Sequence, residues 1–283
     1  MHYIVKKCML VWTAAMVGMS FTSAVKAQSR YMGEALFEGA MEQYIQKNYE
    51  AAAEGYRKFL EMAPYDFNGH YLLAHCLEHL GDFDSALESY ERALAIKPDD
   101  VDALIYAGKL LQRKKDYKGA AEHYERALAI LPKDSESLVL MGTVRYDLMD
   151  YDGAVEYGKR ALAVDTNRAD AYRTIGMALR EKGDRKGALD FLRNSLTHDS
   201  TDIDTYREIA RTFSEDTDTE SAVTTLSKAL EIDPGHVAVH CDLGEILLKR
   251  GDRAKAAEHF TRAIEINPGC IQAAEGLRKS SSQ

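Results

Sequence analysis

Seven alanines stand 34 residues apart along the chain: Ala52, Ala86, Ala120, Ala154, Ala188, Ala222 and Ala256. A fixed period of that length marks a repeat architecture, because a unit this short cannot bury its own apolar face and must stack on its neighbours. A stack of near-identical units offers a surface, so binding is the expected class of function rather than catalysis.

The units run over residues 33–66, 67–100, 101–134, 135–168, 169–202, 203–236 and 237–270, with the periodic alanine at the twentieth place of each. The eighth place is always small: Ala40, Ala74, Gly108, Gly142, Gly176, Ala210 and Gly244. Apolar residues at the fourth, seventh and eleventh places, such as Leu104, Ala107 and Leu111, complete the i, i+3, i+4, i+7 stripe of an amphipathic helix. A break such as Gly81-Asp82 or Gly251-Asp252 ends that helix, since glycine accepts the left-handed conformation found there. A second helix is expected through places such as Ala120, Tyr124 and Ala127, and Pro64, Pro98, Pro132, Pro234 and Pro268 close their units.

With small, aromatic and proline places all in register, the sequence resembles the tetratricopeptide-repeat family over residues 33–270. The resemblance implies an all-α fold: a right-handed superhelical solenoid of antiparallel helix pairs. The fourth place, often tryptophan in that family, is Leu36, His70, Leu104, Leu138, Tyr172, Tyr206 and His240 here. Residues 271–279 suit a short cap helix with a polar outer face, and residues 280–283 are expected to be disordered. Irregular units, with Thr166 and Ser200 in place of proline and Ser195 in place of alanine, predict the loosest part of the stack near residues 158–220.

The N-terminus speaks to the compartment. Lys6 and Lys7 precede an uncharged run from Cys8 to Met19, and Val25-Lys26-Ala27 offers small residues where a signal peptidase reads. That layout predicts a signal peptide over residues 1–27, cleaved after Ala27, with residues 28–32 as a linker. The competing reading is a retained anchor, because Cys8 to Val25 only just reaches membrane-spanning length. Export of the bacterial type places the protein in the periplasm or cell envelope, with no membrane contact after cleavage. The whole chain has 36 basic and 45 acidic residues; without Lys6, Lys7 and Lys26 the net charge is −12. So acidic a chain argues against nucleic acid as a partner. Cys76, Cys241 and Cys270 remain after cleavage, an odd set without framework spacing.

One local pattern suggests chemistry of another class. His75-Cys76-Leu77-Glu78-His79 fits the H-x-x-E-H of some zinc hydrolases, with two imidazoles at i, i+4 and a carboxylate as base. Leu73, Ala74 and Leu77 already assign this segment to a repeat helix, and no third metal ligand is evident. No metal, cofactor or catalytic residue is therefore assigned.

The family resemblance further implies that the first helix of each unit lines a concave groove. Its ligand-facing places hold Phe37, Met41 and Tyr44, then Tyr71 and His75, Lys109 and Arg113, and Tyr146. Arg173, Arg180, Arg207 and Arg211 follow in units five and six. Aromatic rings suit apolar anchors, and guanidinium groups suit carboxylate or phosphate. Against a groove of free arginines stands the spacing of Asp170, Asp204 and Glu208, each three residues before an arginine, which allows ion pairs on one helix. The two-carboxylate clamp of some family members is not expected, because Phe37, Met41 and Leu72 occupy its lysine and asparagine places. The expected function is a non-enzymatic scaffold that binds another protein or a peptide segment with acidic groups. A membrane-tethered or self-associating assembly subunit is the runner-up.

Overall fold

The computed structural model of the protein describes residues 21–215 and 217–281, with side chains from residue 28 onward. The described residues form helices and turns without strands, and no helix among them is long and apolar enough to cross a membrane. Most of the expected signal segment, residues 1–20, lies outside the described residues, as do the last two residues.

The chain divides into two compact units, residues 1–132 and 133–283. The first holds α1 (Phe21–Ile45), α2 (Tyr49–Met62), α3 (Phe67–His79), α4 (Phe83–Ile96), α5 (Val101–Arg113) and α6 (Tyr117–Ile130). These pair as α1–α2, α3–α4 and α5–α6, and α2 touches α3 as α4 touches α5. The second holds α7 (Ser135–Asp147), α8 (Tyr151–Val164), α9 (Ala169–Glu181), α10 (Arg185–His198), α11 (Ile203–Glu215), α12 (Thr219–Ile232), α13 (Val237–Arg250), α14 (Arg253–Ile266) and α15 (Ile271–Ser281). Here too each repeat contributes one antiparallel pair, and first helices of successive repeats also meet, as α7 with α9. Two boundaries differ from expectation. Residues 28–32 are helical, since nothing in Gln28-Ser29-Arg30-Tyr31-Met32 breaks a helix, and α15 runs on to Ser281.

The turn inside each repeat is built identically. Its pivot has positive φ seven times: Lys47, Gly81, Lys115, Met149, Gly183, Thr217 and Gly251. The next residue caps the second helix, and from Asp82 to Asp252 an aspartate carboxylate accepts a backbone N–H in that role six times. Aspartates Asp66, Asp100 and Asp134 cap the following first helices in the same way.

All seven periodic alanines are fully buried, which explains why nothing larger stands there. Around them, the small eighth place leaves room for the side chain at the twenty-fourth. Gly108 lies under the ring of Tyr124, and a Cβ on Gly176 or Gly244 would come within 2.7 Å of Leu192 or 2.6 Å of Phe260. The fourth repeat has glycine at both places, Gly142 and Gly158, and Ile175 of the following repeat fills the space above Gly158. Where the pattern loses proline and alanine, polar bonds join the helices. Ser195 donates to the Ala169 carbonyl at 2.8 Å and lies 3.2 Å from the Thr205 hydroxyl, which donates to Asp202 at 2.6 Å. Within the segment expected to be loosest, the Ser195 bond thus ties α10 to α9.

Candidate functional site

In the first unit, the predicted groove residues on α3 and α5 build an aromatic surface. Tyr71 and His75 meet edge to face at 4.7 Å, and both reach Tyr106 of α5, at 6.2 and 4.5 Å. The buried Tyr90 ring closes the base of this cluster, 5.8 Å from Tyr71 and 5.6 Å from His75. Tyr71, His75 and Tyr106 are half-buried, so each keeps part of its ring toward solvent. Burial among the rings, with the nearby His79, pushes His75 down to about 4. The imidazole is therefore neutral at physiological pH. The Lys109 ammonium stands 5.4 Å from the Tyr106 ring centre, and the Arg113 guanidinium stacks 3.8 Å over Phe83. These cations sit at the margin of the aromatic surface.

A second strip begins on α1. Tyr44 meets Tyr49 at 5.8 Å, and Tyr49 stacks on the exposed His79 ring at 4.1 Å. Phe37 has a different role from the one expected, because it turns toward Tyr56 and Phe59 at 5.6 and 5.1 Å and belongs to the α1–α2 packing. Its outer edge, with Met41 and Ile45, still lines an open cleft of about 310 Å3 on α1. Tyr106 was not among the predicted groove residues. It occupies the sixth place of its repeat, one position from the ligand-facing place, and only the packing of α5 on α3 brings it beside His75.

The His75, Glu78 and His79 motif does not assemble as a metal centre. His75 faces tyrosines, Glu78 accepts a hydrogen bond from the Tyr90 hydroxyl at 3.2 Å, and His79 stacks on Tyr49. Among the described residues, no three His, Cys, Asp or Glu side chains stand close enough to hold a metal ion.

In the second unit the arginines pair with carboxylates, both within and between repeats, instead of forming a free cationic groove. Arg173 contacts both oxygens of Asp202, at 3.0 and 2.8 Å. Arg180 is not a groove residue at all: its side chain is only 2% exposed, contacting Glu208 at 2.9 Å and Glu181 at 2.7 Å, and it donates to the Tyr146 hydroxyl at 3.4 Å. Burial alone would favour loss of its proton, but the carboxylates raise its pKa and keep it charged. Arg207 holds Asp242 of the next repeat at 2.6 Å and Asp204 at 3.3 Å. Arg211, more exposed, stands 3.6 Å from Glu208. A cleft of about 300 Å3 between α11 and α13 is lined by Arg207, Arg211 and Lys249, but also by Glu208, Glu215, Asp242 and Glu245. Four carboxylates against three cations make this a poor anion site.

Two family models of the tetratricopeptide repeat match, over residues 65–133 and 213–279. Among solved structures, a tetratricopeptide repeat protein from Parabacteroides merdae shares 18% identity with a TM-score of 0.78, over 90% of this chain and 100% of that one. YrrB, described as a protein of this repeat type with an unusual peptide-binding site, shares 26% identity with a TM-score of 0.51, over 66% of this chain and 97% of its own. The pilus biogenesis factor PilW shares 19% identity with a TM-score of 0.64, over 76% of this chain and 98% of its own. A search of the curated proteins found no match. Seven repeats in sequence register, consecutive antiparallel helix pairs and both family matches lead to one conclusion: the chain belongs to the tetratricopeptide-repeat family.

Proposed function

We propose that this scaffold binds a segment of another protein on the aromatic face of α3 and α5, and that it works in a bacterial cell envelope. The carrying observation is the cluster of Tyr71, His75 and Tyr106, half-buried and rigidly backed by the buried Tyr90. Tyrosine rings that are already held in place contribute contact area at little entropic cost, and such residues are typical binding hot spots. Lys109 beside Tyr106 favours a segment in which a carboxylate follows an apolar or aromatic anchor. The peptide-binding site named for YrrB supports a peptide ligand, and the role named for PilW supports an envelope assembly setting. Export itself rests on Lys6, Lys7 and the uncharged run from Cys8 to Met19, ending in the small residues before Gln28.

A displayed library of random peptides, selected on the purified protein, tests the site. Selected peptides should share an aromatic or large apolar anchor with an acidic neighbour. Tyr71→Ala should weaken their binding at least about ten-fold, which is ~1.4 kcal/mol. Arg211→Ala should change it less than about two-fold. Peptides that lose binding with Arg211→Ala and keep it with Tyr71→Ala would move the site to the second unit.

A further inference from the structure

Cys241 lies on α13, buried against Leu247, Ala256, Phe260 and Ala273. Cys270 lies at the end of the turn after α14, immediately before α15, and its carbonyl accepts the N–H of Ala274 in the first turn of that helix. The two sulfurs are 3.7 Å apart, although 29 positions separate the residues in sequence. Both are free thiols here. A disulfide requires about 2.05 Å between sulfurs, so a closure of ~1.6 Å is needed, within the reach of side-chain rotation at the half-exposed Cys270.

From this geometry we propose that Cys241 and Cys270 are a redox-responsive pair whose oxidation locks the C-terminal helix α15 onto the last repeat. The helix is a natural target for a lock. It covers Phe260 so closely that its Gly276 leaves no room for a side chain, yet it is only 11 residues long. Helices this short gain little stability of their own, and a bridge at the residue preceding α15 would fix its entry point to α13.

The chemistry balances with a disulfide as oxidant. The Cys270 thiolate, the more accessible of the two, attacks one sulfur of the oxidant and forms a mixed disulfide, releasing the first thiolate. Cys241 then loses its proton and attacks the Cys270 sulfur, which expels the second thiol of the oxidant. Two thiols of the protein are oxidised by two electrons, and one disulfide is reduced to two thiols. Burial and the neighbouring Cys270 push the Cys241 thiol up to about 12, so it enters second, as an intramolecular nucleophile that needs no access from solvent. Cys76, buried on α3, serves as an internal control thiol.

The test is to incubate the full protein with oxidised glutathione, then map it without reduction by mass spectrometry and follow amide hydrogen exchange in α15. The proposal expects a peptide pair joined through Cys241 and Cys270, an unmodified Cys76, and exchange over residues 272–281 slowed at least about ten-fold and restored by dithiothreitol. Cys270→Ser should abolish both the bridge and the slowing, while in Cys241→Ala the glutathione adduct on Cys270 should persist. A lasting glutathione adduct on Cys270 in the natural sequence, a dimer linked through Cys241 or Cys270, or a bridge that leaves exchange unchanged would each overturn it.

Discussion

One residue in every repeat, the turn pivot, must take a left-handed backbone, and only three of the seven pivots are glycine. Lys47, Lys115, Met149 and Thr217 hold φ between 60° and 65°, a region that costs a residue with a side chain about 1 kcal/mol or more. Met149→Gly and Thr217→Gly should therefore raise stability by about 0.5–1 kcal/mol, read as an upward shift of the thermal midpoint, even though glycine loosens the unfolded chain. Glycine-aspartate pairs made part of this turn visible in the sequence; the lysine and methionine pivots carried no signal, because their strain is imposed by the helices on either side. The fourth place shows a similar substitution of means. His70 and His240 bond through Nε2 to the carbonyls of Pro64 and Pro234, tying each first helix to the turn before it. His75 gives a pH prediction. Its folded pKa of about 4 lies below the unfolded 6.5, so the unfolded chain binds the extra proton between those values. Acidification from pH 6.5 toward pH 4 should cost stability, and His75→Phe should flatten that part of the curve measured by denaturant melts.

At the scale of helices, the structure was readable because small residues recur where backbones touch. The register of the seven alanines fixed helix pairing, since any larger residue at a fully buried contact must push two helices apart. Gly108→Ala should cost about 1–3 kcal/mol in thermal or denaturant unfolding, as its methyl would enter the Tyr124 ring. Ser195 was legible only as an exception to the alanine pattern, and its meaning lay in partners that are distant in sequence. Alanine stands at that place in five repeats, yet Ser195→Ala should destabilise by about 1 kcal/mol by removing the hydrogen bond to the Ala169 carbonyl. A neutral or stabilising result would mean the hydroxyl is only tolerated there.

Across the whole molecule, a repeat protein is held by nearest-neighbour interfaces, and charge does part of that work in the second unit. The arginines stood out in the sequence as a block of one sign within an acidic chain. Their partners are distant in sequence, Asp202 at the far end of Arg173's own repeat and Glu208, Glu215 and Asp242 in the repeats that follow Arg180 and Arg207, and were hidden until the helices stacked. Arg180→Ala leaves Glu208 without its buried partner and should cost on the order of 3 kcal/mol. Its effect on hydrogen exchange should concentrate in α7 to α11 and leave α1 to α4 unchanged. The aromatic site was legible in Tyr71 and His75 but not in Tyr106, which depends on how α5 settles against α3. Photoreactive residues placed at Tyr71, Arg207 and the exposed Glu88 of α4, followed by irradiation of living cells and mass spectrometry, test the binding site most directly. A specific protein captured from position 71, and not from 207 or 88, is the predicted result. Capture from 207 or 88 with none from 71 would contradict it.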